Sequence, residues 1–272
     1  MSKKLTVSEQ YKKYPSSIPF FAVLFGSIIV LYALTTYIVD FKGLDEIGLI
    51  LLKAAFNGMF HPDWEDIFNF TRYGVPYLLL ETFAIAFLGT VIGAILSFPL
   101  AIFSARNITN DVCAYIGLTI ISIIRAFPTF IYGIIFVKIV GTGPFAGVLT
   151  MSISSLGMLT KLLIEAIEDM DKGVLEALDA AGCTQIQKIR HGIIPQLGPS
   201  IISIIIYRLD INVKNASILG VVAAGGIGYE LLASISARRW SDTGAMLLGL
   251  VILVLSLEWI STKIRKKLAT GE

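Results

Sequence analysis

The 272-residue sequence holds two cysteines, two histidines and only 15% charged residues. Each scarcity excludes something. Cys113 and Cys183 fall on separate segments and predict free thiols, not a disulfide framework. Neither His61 nor His191 has a companion at metal-ligand spacing, so no metal centre is read. There is no G-x-x-x-x-G-K-[ST] phosphate loop, no evident nucleophile and base pair, and no basic run interleaved with aromatics that would suit nucleic acid. A soluble domain carries roughly 25% charged residues, so the low charge also argues against a water-soluble fold.

What is present is apolar. Hydrophobic residues make up 55% of the chain and the mean hydropathy is +0.78. A bilayer-spanning helix needs about 20 mostly apolar residues, and six candidate runs lie at 18–39, 75–104, 112–140, 144–166, 193–223 and 242–260. The expected fold class is therefore an all-α membrane protein with six transmembrane helices. The first run is longer than the apolar region of a signal peptide and lacks a clear small-x-small cleavage site, so it reads as a retained helix. Outside the spans, thirteen Lys and Arg fall on the side of both termini and five on the other. The positive-inside rule then puts both termini in the cytoplasm.

Three regions are expected: residues 1–70 as tail, first span and external connector, 71–262 as the transmembrane core, and 263–272 as a basic cytoplasmic tail. Within the connector, residues 43–60 read as an interfacial helix. The acidic, aromatic stretch 61–74 reads either as a solvated link or as a dock for an external partner.

Inside the spans, Gly89, Gly93, Ala94 and Ser97 are small residues that favour close helix packing. Pro128 predicts a break in the third span, because it removes a backbone donor and frees the carbonyl one turn earlier. Four basic residues lie within spans: Arg125, Lys138, Arg208 and Lys214. Such groups usually face a cavity or a partner, since insertion at mid-bilayer costs about 2.5–3.5 kcal/mol. Arg208, Asn212 and Asn215 share one helical face and form the candidate lining of a solute path. Arg125 joins them, either as a solute ligand or as a cap for carbonyls freed by Pro128. Asp210 and Lys214, four apart, read as a structural ion pair, and Lys138 as a snorkelling cation near a span end. Gly225, Gly226 and Gly228 permit irregular backbone, either a gate or a simple helix end.

The stretch EALDAAGCTQIQKIRHGIIP (176–195) is polar, yet it lies between two apolar runs. Glu176, Ala177, Ala180, Ala181 and Gly182 predict a short helix closed by a left-handed glycine. A second turn follows from Thr184 to about His191, and Pro195 opens the next span. Exposed alanines beside one acid suit a protein partner, or an ordinary amphipathic surface loop.

The spacing E-A-x-x-x-x-G followed thirteen residues later by P resembles the EAA loop of permease subunits of binding-protein-dependent ABC importers, matched here by Glu176, Ala177, Gly182 and Pro195. Two positions depart: Leu178 stands where the family often has alanine, and Gly192 where it usually has isoleucine. The segments RAFPTFIYG…EALDAAG and YRLDINVKNASILGVVAAGGIGYEL resemble the phosphonate permease branch, over roughly residues 75–260. The resemblance implies a type I importer fold, a homodimer in the inner membrane of a prokaryote, and coupling through residues 172–192. It further implies two ATP-binding cassette subunits that hold the ATP and Mg, an external phosphonate-binding protein, and no cofactor or catalysis in this chain. Phosphite and phosphate are open alternatives. Another small solute such as an amino acid, or an ion-coupled carrier acting alone, are the competing readings.

Overall fold

The computed structural model describes residues 18–38 and 46–270. Lys3, Lys4, Lys12, Lys13 and Lys42, on which part of the charge asymmetry rests, lie outside the described residues. The chain divides into two units, residues 1–52 and 53–272. In the first unit α1 (Ile18–Ile38) is apolar on every face and exposed throughout, as expected of a helix surrounded by lipid. The helix α2 (Glu46–Phe60) crosses the unit boundary.

In the second unit, α3 (Trp64–Ile67) leads to α4 (Val75–Ser104), α5 (Asp111–Ala126), α6 (Thr129–Val140) and α7 (Pro144–Glu168). Two short helices, α8 (Lys172–Ala180) and α9 (Gln185–Lys188), then pass through a π turn (Ile189–Ile193) into α10 (Ile194–Leu219). A 3-10 turn (Gly220–Val222), α11 (Ile227–Ser236) and α12 (Trp240–Thr270) complete the chain. Among the described residues, five helical stretches are long and apolar enough to cross a membrane, and α5 with α6 make a sixth if the pair, bent by 82°, is counted as one span.

Pro128 explains the bend. The residue before a proline is pushed to extended backbone, and Phe127 is extended at φ −92°, ψ 128°. The carbonyl that Pro128 leaves without a donor is that of Ile124, and the Tyr132 hydroxyl donates to it at 2.7 Å. Arg125 is therefore not the cap of the freed carbonyl; an aromatic hydroxyl from the next helix does that work.

Pro195 stands in the first turn of α10, as expected, but that helix does not start from a free end. Residues 185–222 are one helical stretch, and Ile194 N–H bonds to Ile189 O, five residues back. A proline inside a helix clashes with the carbonyl four residues earlier. The wider π turn ahead of Pro195 relieves that conflict at the cost of one local bulge. At the far end, α12 runs on through the basic stretch to Thr270 as continuous helix.

The unit is organised around the contact of α4 with α7. A methyl built on Gly89 would stand 2.2 Å from Met151 Cβ, and one on Gly93 would stand 2.5 Å from Ser155 Cβ. Ser97 adds a hydroxyl that reaches Leu156 O at 3.2 Å. Apolar side chains fill three clusters along the axis, around Ile164 and Ile193 at the α8 end, around Ile85 and Val213 midway, and around Val75 and Ile227 at the opposite end.

Overpacking a close contact costs about 1–3 kcal/mol. Gly93→Val should lower the Tm of the detergent-solubilised protein by about 2–4 °C per kcal/mol lost. Gly26→Val, where nothing lies within 4 Å, should leave it unchanged; equal Tm values for the two variants would contradict the proposed role of the α4–α7 contact.

Candidate functional site

The middle of the unit holds a polar network on four helices. Arg208 on α10 is 4% exposed, yet it has no carboxylate partner among the described residues. Its Nε donates to Ser155 Oγ at 3.1 Å, one terminal nitrogen to Ser154 Oγ at 2.8 Å, and the other to Met158 Sδ at 2.9 Å. Asn212, one turn on and fully buried, donates to Ser155 Oγ at 2.7 Å and to Thr90 Oγ1 on α4 at 2.8 Å. Ser154 also bonds Thr129, the first residue of α6, at 2.7 Å.

Of the candidate path residues, the fold thus brings Arg208 and Asn212 together between α4, α7 and α10. Asn215 lies half-buried farther along α10. Arg125 is exposed and has no ion pair or hydrogen bond among the described residues, but its stem lies on α7: a methyl on Gly157 would meet Arg125 Cγ at 2.9 Å. The three α7 residues Ser154, Ser155 and Met158 carried no sequence signal, because serine within an apolar helix is ordinary.

Asp210 and Lys214 do not pair with each other. Asp210 accepts from Ser261 at 2.7 Å and lies 3.7 Å from Arg265, whereas Lys214 meets Glu258 at 3.4 Å. Both reach across to α12, where partners of opposite charge stand at matching heights.

At the end of the unit away from α8, the glycine segment is irregular as expected at two positions. Gly225 and Gly226 have φ of +83° and +74°. Gly228 differs, since it lies in α11 and is glycine for space: a methyl there would stand 1.9 Å from Ser217 O. The segment is anchored from α4, Glu81 accepting from Gly226 N–H at 2.9 Å and Thr82 from Ile227 N–H at 2.8 Å. A cleft of about 360 Å³ opens beside it, lined by Arg72, Glu81, Gly225, Gly226 and Glu230 among others.

At the α8 end, Asp171 caps α8 and the chain turns at Gly182, φ +74°. Thr184 and Gln187 form a reciprocal capping box that starts α9, and Lys188 pairs with Asp179 across the turn. Glu176, Ala177, Ala180, Ala181 and Gly182 are all exposed.

Residues 97–268 match the binding-protein-dependent transport system inner membrane component family. The chain belongs to this family. HtxC of Stutzerimonas stutzeri, named for a phosphite transport system permease, is 33% identical over 88% of this chain and 83% of its own length. The phosphate-import permease protein PhnE of Mycolicibacterium smegmatis is 34% identical over 74% of this chain and 38% of its own. Among solved structures, a chain of the MetNI methionine ABC transporter superposes with TM-score 0.63 at 22% identity, covering 70% of this chain and 94% of that one. The fold is that of an ABC importer permease. This family forms the membrane component of an importer that works with an ATPase and a solute-binding protein, and hydrolysis belongs to the ATPase.

Membership gives meaning to the two departures from the EAA spacing. A methyl on Gly192 would stand 2.7 Å from Leu178 Cδ1. Leu178 thus fills the space that Gly192 leaves where α8 meets the π turn, so the two departures lie against each other. Gly192→Ile alone should destabilise the protein, and Gly192→Ile with Leu178→Ala should recover most of the loss. Contacting residues couple by about 0.5–3 kcal/mol; additive Tm changes in a double-mutant cycle would refute the contact.

Proposed function

We propose that two copies of this chain form the translocation path of an ATP-driven importer for a phosphorus oxyanion, with phosphonate as the first candidate and phosphite and phosphate close behind. Two cytoplasmic ATPase subunits, holding ATP and Mg, seat the exposed face of α8, and an external phosphonate-binding protein delivers the solute. Both termini then lie in the cytoplasm.

The observation that carries this reading is Arg208, a cation at the middle of a membrane-spanning helix, surrounded by hydroxyls and a thioether with no acid among the described residues to neutralise it. An uncompensated cation at that depth is expensive, and it is kept where an anion must pass. Exposed Arg125 of α5, whose stem packs against α7 at Gly157, adds a second positive charge. The names of the relatives, for phosphite and phosphate transport, point to the same chemistry. A planar guanidinium fork matches tetrahedral oxyanions well.

The test is ATP hydrolysis by the chain reconstituted in lipid with ATPase and binding protein. Methylphosphonate, phosphite or phosphate should stimulate it and methionine should not; stimulation by methionine alone would overturn the substrate class. A hydrogen bond to a charged group contributes about 1.5–3 kcal/mol, so Arg208→Ala should reduce stimulated import at least about tenfold with assembly retained. Unchanged import would remove Arg208 from the path.

The coupling role has its own check. Forcing a β-branched residue to positive φ costs of order 1–3 kcal/mol, and Gly182 has open space around it. Gly182→Val should therefore leave the fold intact, while hydrolysis continues and import falls several-fold. Import that keeps pace with hydrolysis in this variant would argue against the turn as transmitter.

A further inference from the structure

Arg208 is held from two sides that differ in kind. On the inner side its Nε and the amide of Asn212 converge on Ser155, which is fully buried behind the α4–α7 contact. That side cannot be vacated without prising the helices apart. On the outer side its terminal nitrogens reach Ser154 and Met158, both half-buried and one turn apart on the same face of α7. A thioether is a weak acceptor, and the Ser154 hydroxyl is shared with Thr129 at the start of α6. Arg125 approaches the same turn of α7 over Gly157. Two cations thus border one turn whose acceptors are neutral and replaceable.

Hydrogen bonds between a guanidinium and an oxyanion are roughly twice as strong as neutral ones. We propose that Ser154 and Met158 are placeholder ligands of Arg208, displaced by the oxyanion in transit, and that displacement frees Thr129 and loosens the start of α6 at the Pro128 break. This rests on the anion-import reading. The inner contacts keep the fork aimed while the outer contacts exchange. Release of Ser154 then reports occupancy to a helix that is already disconnected from α5 by the 82° bend.

The inference is tested in the reconstituted complex of this chain, ATPase and binding protein, with methylphosphonate and phosphite as probes. Ser154→Asp gives Arg208 a built-in carboxylate that competes with the cargo, and Ser154→Asn matches its size without the charge. Stimulated hydrolysis should fall about tenfold further in the Asp variant than in the Asn variant. In the unsubstituted complex, cargo should speed amide hydrogen exchange across residues 129–135 several-fold. Equal stimulation in the two variants, or exchange across 129–135 that cargo does not change, overturns the placeholder role; the exchange measurement decides even where the Asp variant fails to assemble. Absence of stimulation by either phosphorus compound in the unsubstituted complex would sink the import reading itself, and so is distinguishable from failure of the inference alone.

Discussion

The structure depends on the approach of α4 to α7 without intervening side chains. Gly89 and Gly93 leave room for the Cβ atoms of Met151 and Ser155, so the two backbones lie closer than any larger residue would permit. Within a membrane there is little hydrophobic drive for helices to associate, and small residues supply close dispersion contact in its place. The same approach puts Ser155 within reach of α10 on one side and brings Thr90 to Asn212 on the other. The polar network is a consequence of the glycine contact, because backbones this close let the Asn212 amide of α10 reach a hydroxyl on α4 and another on α7 at once.

Two prolines are accommodated by different means. At Pro128 the helix gives way, and the carbonyl stranded at Ile124 is satisfied by Tyr132 from the far side of the bend. At Pro195 the helix persists, with a π turn absorbing the clash. A break in the membrane interior is tolerated where protein or water satisfies the freed backbone, and at Pro128 the polar turn of α7 lies alongside, through Thr129 and Ser154. Near the polar patch, continuity is the better solution: one helical stretch from Gln185 to Val222, π turn included, joins the base of α8 to the depth of Arg208. The Lys188–Asp179 pair and the Leu178–Gly192 contact fasten α8 to its base.

Much of this was legible in the sequence where the signal is local. The apolar runs, the small residues at 89, 93 and 97, the proline break and the left-handed Gly182 each follow from the chemistry of one residue or one period. The failures are of another kind. Asp210 and Lys214 stand four apart and satisfy the local rule for a helical pair, but each has a better partner about fifty residues on in α12, where Ser261, Arg265 and Glu258 are brought up by the fold. Pro195 does stand in the first turn of α10, but the π turn that joins it to α9 leaves no mark in composition. Ser154 and Ser155 looked like any serine that bonds its own backbone, and their role appears only when α10 delivers Arg208 beside them. Leu178 and Gly192, read singly, weakened the motif; read as neighbours they preserve it.

Under the role proposed for Arg208, its ligands suit what a solute path must avoid. A carboxylate in the place of Ser155 would neutralise the guanidinium and stabilise the helix pair locally, but a paired arginine has little left to offer an anion. With no polar neighbour at all, the cation would cost so much that the helix could not hold it at mid-span. Hydroxyls and a thioether lie between these limits. They satisfy the N–H groups while leaving the net charge in place, so on the proposed reading a field that would draw an anion inward survives. Each of these contacts is weaker than the bond an oxyanion would make, so on that reading an arriving anion would displace them. Because several would re-form together when it leaves, the same contacts would also favour its release.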